Sequence, residues 1–230
     1  MKAFLLAAGQ GTRLYPLTSK IPKCLVPIRG KPLLGIWIEL LLRHGINDIL
    51  INLHSHGPLV RDYLCREFSR VSIRMFEEPQ LLGSAGTIRA NRAWIESDPF
   101  FWVFYADVLT NTALDRMLAF HNEHSGAATL GVYDTSQPER CGIATTDESH
   151  RVLDFVEKPT QPRSRLAFSG LLIGTPALIE ALPDFTPADL GFDVLPRLVG
   201  RMFAYRIPDF LLDVGTPENY ATAQESWPGF

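Results

Sequence analysis

The chain has 230 residues, 46% of them hydrophobic and 20% charged, with 22 Lys and Arg against 25 Asp and Glu for a net charge of -3. A chain of this length buries roughly 70% of the surface that its unfolded form exposes, so its core needs no disulfide or metal. The small negative charge gives no general attraction to nucleic acid or to a membrane surface. Cys24, Cys65 and Cys141 are odd in number and far apart, which favours a reducing compartment, by default the cytoplasm.

Over the first half of the chain, apolar runs of strand length alternate with segments of helical period in the order βαβαβαβαβ. The predicted strands are residues 2–6, 48–53, 71–77, 100–105 and 127–132. The predicted helices are 33–44, 59–69, 85–95 and 113–124, the last with Thr112 as its N-cap. This alternation predicts an α/β fold with a mostly parallel sheet and helices on both faces.

The second half has a different pattern. Turn-rich segments bracket two strand-like runs, 142–146 and 152–157, which predicts a small hairpin insertion. A strand at 168–173, a helix from Pro176, a short helix near 193–199, a strand at 202–207 and a helix at 217–225 are predicted to follow. Since there is no internal repeat or linker, we predict a single domain over residues 1–230.

A glycine turn follows the first predicted strand. The run Gly9-Gln10-Gly11-Thr12-Arg13-Leu14 stands at the carboxyl end of that strand, where open α/β sheets bind ligands. It is neither a dinucleotide fingerprint, because Leu14 replaces the third glycine, nor a Walker A loop. Arg13 and Lys23, one of only five lysines, lie near the turn and indicate two cations around a polyphosphate. A structural turn with two solvated cations is the alternative.

Carboxylates end several of the predicted strands. Asp107 follows strand 100–105 and Asp213 ends an apolar run, positions that suit ligands of Mg²⁺ as well as turn formers. Glu157-Lys158 closes the hairpin and offers a carboxylate for a sugar hydroxyl and a cation for a phosphate, or else a surface ion pair. His54-Ser55-His56 has no third metal ligand nearby, so we expect a turn there.

Five motifs in order resemble the sugar-1-phosphate nucleotidyltransferase family, in the short, mannose-1-phosphate guanylyltransferase-like form. They are the G-x-G-T-R-L turn, Pro22-Lys23, Asp107-Val108, the V-E-K-P run that ends at Pro159, and the D-x-G-T-P run that starts at Asp213. The resemblance implies a Rossmann-like fold in which the hairpin lies on the sugar side. It divides the chain into a nucleotide-binding half, 1–133, and a sugar-phosphate-binding half, 134–230. We expect no fused acyltransferase of hexapeptide repeats.

The resemblance also implies the reaction and its site residues. A nucleoside monophosphate passes from a nucleoside triphosphate to a sugar 1-phosphate, pyrophosphate leaves, and no protein nucleophile takes part. Arg13 and Lys23 would be the catalytic cations, and Asp107 and Asp213 would hold Mg²⁺. The residues implied to bind the nucleotide are Ala8, Gly9, Gly11, Thr12, Arg13, Glu78 and Gly83. Those implied to bind the sugar phosphate are Gly142, Glu157, Lys158 and Gly170.

The sequence constrains the identities of the base and of the sugar less than it constrains the reaction. Glu78 favours GTP, because one carboxylate can accept both N1–H and the N2 amino group of guanine, whereas uracil offers a single donor between two carbonyls. The sugar would be of mannose or heptose type. Uridylyl transfer to an amino sugar such as N-acetylmuramate 1-phosphate is the alternative, since Ala8 and the Phe168-Ser169-Gly170 run depart from the common family pattern.

Two other classes of protein compete with this interpretation. A non-catalytic sugar-nucleotide-binding regulator would lack a metal aspartate or a phosphate lysine, and this chain lacks neither. A nicotinamide oxidoreductase is disfavoured by Leu14 and by the missing acidic residue after the second strand. We expect no nucleic-acid or membrane partner, and a homodimer stays open.

Overall fold

A computed structural model describes all 230 residues. The strands are β1 (Lys2–Leu6), β2 (Pro27–Ile28), β3 (Lys31–Pro32), β4 (Asp48–Leu53), β5 (Ser72–Glu77), β6 (Phe101–Tyr105), β7 (Val108–Thr110), β8 (Ala128–Asp134), β9 (Gly142–Thr146), β10 (Val152–Glu157), β11 (Leu166–Gly174), β12 (Met202–Arg206) and β13 (Leu211–Asp213). The helices are α1 (Leu33–Arg43), α2 (Gly57–Glu67), α3 (Gly83–Ala90), α4 (Arg92–Ile95), α5 (Leu114–Glu123), α6 (Pro176–Glu180) and α7 (Pro217–Ser226). None of the helices has the length and apolar character needed to cross a membrane.

The chain divides into two compact units that interleave along the sequence. Unit 1 comprises Met1–Leu81, Phe104–Thr112 and Asp209–Phe230, and unit 2 comprises Leu82–Val103 and Ala113–Pro208. Strand β6 begins in unit 2 and ends in unit 1. Each of the halves expected from the sequence, 1–133 and 134–230, is one continuous segment, unlike these units. The functional division between the two halves therefore stays a prediction.

Unit 1 is built on parallel strands. The end of β6 lies beside β1, which pairs in parallel with β4, and β4 pairs in parallel with β5. Phe4 of β1 and Leu50 of β4 are partners in the register and are completely buried, as are their neighbours along each strand. Strands that are buried on both faces read as uninterrupted apolar runs. For this reason β1 and β4 have the bounds predicted from the sequence.

Unit 2 is mixed. β8 pairs in parallel with β12 but antiparallel with β11, and β11 is also antiparallel to β9. β9 and β10 form the predicted hairpin, with both strands at their predicted bounds. The register of β11 against β8 shifts between Phe168 and Leu172, where Gly170 has a φ of +81°. The predicted α/β class is confirmed, and antiparallel pairs occur both in this unit and in two short ribbons of unit 1, β2–β3 and β7–β13.

Some helix predictions were wrong in detail. The helix predicted at 85–95 is two helices, α3 and α4, separated at Asn91, whose side chain donates to Thr87 O at 2.9 Å. The N-cap of α5 is Ala113 rather than Thr112, because the Thr112 hydroxyl is buried and lies 2.6 Å from that of Thr110. The segment near 193–199 is a π-helical turn, Leu190–Val194, and then a 3₁₀ turn.

A glycine at the start of α3 provides a test of this packing. Gly83 has a φ of +77°, and a Cβ built on it would lie 2.8 Å from the carbonyl carbon of Ala188 and 2.9 Å from its nitrogen. Gly200, also in unit 2, has a φ of +79° but open space around it. We expect Gly200→Ala to lower the free energy of unfolding by the ~1 to 2 kcal/mol of the left-handed conformation alone, and Gly83→Ala to lower it by more. Equal losses in urea denaturation would contradict the packing argument.

Candidate functional site

Lys23 is the buried cation of unit 1. It opens a 3₁₀ turn after Pro22, and its side chain is only 8% exposed. Its Nζ lies 2.7 Å from Asp107 Oδ2 and 3.8 Å from Asp213 Oδ1. A buried ammonium is costly unless carboxylates compensate its charge. The two aspartates therefore hold this cation in one place.

A short antiparallel ribbon brings the two aspartates together. β7 and β13 pair with Asp213 opposite Val108, and the Val214 N–H donates to Asp107 O at 2.9 Å. Asn219 at the start of α7 donates its side-chain amide to Asp213 O at 2.7 Å. Two carboxylates that are distant in the sequence thus flank the same end of one ribbon. The sequence analysis predicted both aspartates at the ends of apolar runs, but it did not predict the β7–β13 ribbon.

The glycine turn packs against Lys23. Gly11 has a φ of +65°, and its carbonyl accepts hydrogen bonds from the Leu14 N–H at 3.0 Å and from Thr18 Oγ1 at 2.7 Å. A Cβ on Gly11 would lie 3.0 Å from Lys23 Cβ and 3.1 Å from Thr18 Cγ2. Both the conformation and the close approach of Lys23 therefore require glycine at this position.

The Arg13 guanidinium and the Asp213 carboxylate both lie against Gly215. A Cβ on Gly215 would lie 2.6 Å from Asp213 Oδ1 and 2.9 Å from Arg13 Nη2. Because Gly215 has no Cβ, the Arg13 guanidinium has space to approach the Asp213 carboxylate. The structure thus brings together Arg13, Lys23, Asp107 and Asp213, four of the five predicted charged residues of unit 1.

Glu78 is buried and held by Asn52, which the sequence analysis did not identify as a site residue. It is 3% exposed, and Asn52 Nδ2 donates to its Oε1 at 2.9 Å. Asn52 Oδ1 accepts the Ala7 N–H at 2.7 Å, which fixes the orientation of the amide. The Glu78 N–H donates to Leu53 O at 2.8 Å. The signal that could have identified Asn52 is a polar residue within the apolar run of β4.

The other predicted nucleotide residues have different surroundings. Ala8 is buried, whereas Gly9 and Thr12 are exposed, and no atom lies within 4 Å of where a Gly9 Cβ would stand. Gly83 packs against the backbone of Ala188 in unit 2. That packing is sufficient reason for a glycine, so its approach to a base stays a prediction.

In unit 2 the Glu157 carboxylate lies between two glycines. A Cβ on Gly142 would lie 2.5 Å from Glu157 Oε2, and a Cβ on Gly191 would overlap the same oxygen. Burial raises the pKa of Glu157, and the negative charge of Asp189 raises it further, while Lys158 lowers it. Gly142 was predicted from the sequence and Gly191 was not.

Lys158 lies beside this carboxylate at ion-pair distance but does not form a direct hydrogen bond with it. Its backbone N–H donates to Cys141 O at 2.9 Å. Its Nζ is 3.9 Å from Glu157 Oε1 and 5.4 Å from the ring centroid of Phe192. The side chain is 56% exposed, so the cation is available to an anionic ligand.

Asp189 caps the turn Leu190–Val194 of unit 2 with its side chain, although the sequence analysis did not identify it. Its Oδ1 accepts the N–H groups of Gly191 at 2.8 Å and Phe192 at 3.3 Å, and its Oδ2 accepts Ser84 Oγ at 2.9 Å. An aspartate two residues before a glycine is an N-cap signal that could have located this turn. Gly170, the fourth residue predicted to bind the sugar phosphate, lies in the β11 bulge.

The donor set of unit 1 fits Mg²⁺. Asp107 and Asp213 offer hard carboxylate oxygens, and magnesium is commonly held by one or two carboxylates plus substrate phosphates. No group of three or more His, Cys, Asp or Glu side chains is arranged to hold a metal by itself. His54 and His56 belong to the predicted turn, in which His56 is the N-cap of α2. A metal bound here would therefore need further ligands besides these side chains.

The raised pKa of Glu157 leads to a prediction about stability. Because the folded pKa lies above the unfolded one, stability is greatest below the unfolded value and falls as the pH rises through the folded value. We expect the neutral, equally sized Glu157→Gln to raise the unfolding temperature near neutral pH. The gain should vanish below the ordinary Glu pKa of about 4.3.

The matched control is Glu139→Gln, an exposed glutamate of the same unit, which should change nothing at any pH. A stabilisation by Glu157→Gln that persists in acid would show that charge is not its cause.

Residues 2–228 match the family model described as Nucleotidyl transferase. Mannose-1-phosphate guanylyltransferase catalytic subunit beta of Xenopus tropicalis is 32% identical over 229 residues, which cover 96% of this chain and 63% of the relative. The chain thus spans less than two thirds of the length of the curated relatives that it matches.

Among solved structures, HddC from Yersinia pseudotuberculosis superposes with a TM-score of 0.83 at 26% identity, covering 98% of this chain and 99% of HddC. A second structure of HddC, complexed with GMP-PN, has a TM-score of 0.82 with the same identity and coverage. These similarities confirm the Rossmann-like nucleotidyltransferase fold. With the family match over nearly its whole length, they show that the chain belongs to the nucleotidyl transferase family.

Proposed function

We propose that this protein transfers a nucleoside monophosphate, with GTP as the favoured donor, to a sugar 1-phosphate and releases pyrophosphate. The observation that carries the proposal is the Lys23 ammonium, which is buried between Asp107 and Asp213 against the glycine turn. A fixed cation beside two hard anionic ligands is what a reaction between phosphates requires.

The reaction itself needs no group from the protein to form a covalent bond. An oxygen of the sugar 1-phosphate attacks the α-phosphorus of the triphosphate, and the bond from that phosphorus to the bridging oxygen of pyrophosphate breaks. Both substrates are anions, so the protein acts by positioning them and by neutralising charge. Lys23 and Arg13 would provide preorganised positive charge on the phosphates.

Asp107 and Asp213 would hold Mg²⁺, as their donor chemistry allows. When bound, the ion would neutralise negative charge on the phosphates. The ion pairs of Lys23 with the same carboxylates would keep the ammonium beside the metal position before substrates arrive.

The guanine preference is supported by Glu78. Asn52 donates to one of its oxygens and is itself fixed by the Ala7 N–H, so the carboxylate is oriented in advance. Such an acceptor suits the paired N1–H and N2 donors of guanine. The names of the similar mannose-1-phosphate guanylyltransferase and the HddC complex with GMP-PN support the same choice.

The acceptor would bind in unit 2, at Gly142, Glu157, Lys158 and Gly170. Glu157 would accept sugar hydroxyls and Lys158 would bind the phosphate, since the first is a half-enclosed carboxylate and the second a half-exposed cation. A mannose- or heptose-type sugar is favoured, and the reaction would take place in the cytoplasm.

A pyrophosphate-release assay tests the function. Four nucleoside triphosphates are combined with a panel of sugar 1-phosphates that includes mannose 1-phosphate and N-acetylmuramate 1-phosphate. We expect release with GTP and a hexose- or heptose-type acceptor, and loss of release in excess chelator. Preference for UTP with the amino sugar would establish the alternative, and no release with any pair would overturn the proposal.

Glu78→Gln tests how the base is selected. One bidentate contact discriminates by about 1 to 3 kcal/mol, so the ratio of kcat/KM for GTP over UTP should fall by roughly 5-fold to 150-fold. Glu77→Gln, next to it but exposed and paired with Arg61, is the control and should leave the ratio unchanged. An unchanged ratio in both variants would remove Glu78 from base recognition.

Lys23→Met tests the role of the buried cation. Methionine keeps the stem that packs on Gly11 but removes the charge. We expect kcat to fall by about 100-fold or more, the scale of a lost preorganised donor, with a much smaller change in KM. Lys31→Met, at an exposed lysine paired with Glu39, should leave both constants near their original values. A change confined to KM would reduce Lys23 to a binding residue.

A further inference from the structure

Phe192 is an aromatic side chain that none of the predicted roles uses. It is 55% exposed and stands in the π-helical turn directly after Gly191. Single exposed hydrophobic residues are common and carry no meaning alone. Here the turn is fixed, because Asp189 Oδ1 accepts the N–H groups of both Gly191 and Phe192. The backbone that carries the ring is therefore held beside the proposed sugar-phosphate residue Glu157.

The Lys158 ammonium lies between this ring and the Glu157 carboxylate. Its Nζ is 5.4 Å from the Phe192 ring centroid, within the range of a cation–π interaction. The distance to Glu157 Oε1 is 3.9 Å, whereas a charge-assisted hydrogen bond would be about 2.7 to 2.9 Å long. The ammonium is therefore within ion-pair distance of the carboxylate, beyond the length of a direct hydrogen bond, and also within cation–π range of the ring.

We propose that Phe192 is a positioning residue for the sugar 1-phosphate, whose ring keeps the Lys158 ammonium beyond hydrogen-bond distance of the Glu157 carboxylate so that each can bind the ligand. The ammonium is then directed to the phosphate, and the carboxylate can accept hydroxyl donors of the sugar. This inference rests on the proposed function, because it assigns Glu157 and Lys158 to the acceptor.

The physical reason is competition between partners. Without the ring, the flexible lysine stem would let the ammonium form a direct hydrogen bond with the Glu157 carboxylate. The charge of each group would then be compensated by the other group. A ligand would then have to break that pair before binding. Gly142 and Gly191 hold the carboxylate from both sides, so the lysine is the partner that can move.

Kinetics of Phe192→Leu, with Phe185→Leu as a matched control, test the proposal. Phe185 is 51% exposed in the same unit and forms no ring contact of its own. We expect Phe192→Leu to raise the KM for mannose 1-phosphate by about 2-fold to 30-fold, the range of a cation–π interaction. The kcat and the KM for GTP should stay within error, and Phe192→Tyr should restore the original KM. Equal KM values in both leucine variants would overturn the proposal.

A second readout does not depend on turnover. The chain has five lysines, so reductive ¹³C-methylation gives few NMR signals, and Lys158→Arg identifies the one from Lys158. We expect this signal to carry a ring-current shift that Phe192→Leu abolishes and Phe185→Leu preserves. A signal that is insensitive to Phe192→Leu would disprove the ring contact.

The two readouts separate this inference from the proposed function. If the wild type releases pyrophosphate but Phe192→Leu behaves like its control, the inference fails and the function stands. If no substrate pair reacts, the function fails, and titration of mannose 1-phosphate against the Lys158 signal decides the inference. Weaker binding in Phe192→Leu would then support it, and equal binding would overturn it.

Discussion

The ion pairs of one buried ammonium determine most of the arrangement in unit 1. The Lys23 side chain is 8% exposed, so its charge has to be compensated within a few ångströms. At 4 Å and an effective dielectric constant of about 20, one pair of opposite charges interacts by ~4 kcal/mol. Asp107 and Asp213 provide that compensation, which explains why the chain returns through β13 to pair with β7. The ribbon is short, but it fixes the position of both carboxylates.

Unit 2 contains the opposite arrangement. Its enclosed charge is the Glu157 carboxylate, and the nearest cation stands 3.9 Å away beside an aromatic ring. Burial and the charge of Asp189 both disfavour the ionised carboxylate, so its pKa is raised. A group that costs stability in its ionised form is expected where a ligand will use its charge. Unit 1 thus compensates its buried charge internally, whereas in unit 2 Lys158 only partly offsets the burial of Glu157.

The sequence predicted the parts of the fold that depend on continuous burial. β1, β4, β9 and β10 have their predicted bounds, since apolar runs or a clear hairpin pattern define them. The β7–β13 ribbon was missed because its strands are three residues long, too short for periodicity to register. The break between α3 and α4 was missed because the apolar pattern continues across Asn91. The ribbon depends on contacts distant in sequence, whereas the helix break coincides with the local hydrogen bond from Asn91 to Thr87 O.

Glycine shows why motif reading found only part of the candidate site. Gly11 was recognised as a turn former, and its φ of +65° agrees with that role. Gly142, Gly191 and Gly215 have no such backbone requirement. Each is small because a charged side chain occupies the space of a Cβ: Glu157 at the first two, and Asp213 with Arg13 at the third. Room for a charge depends on a partner elsewhere in the chain, so local spacing cannot reveal it. At these three glycines, a charged group close to the position of a Cβ, and not backbone freedom, therefore connects the fold with the candidate site.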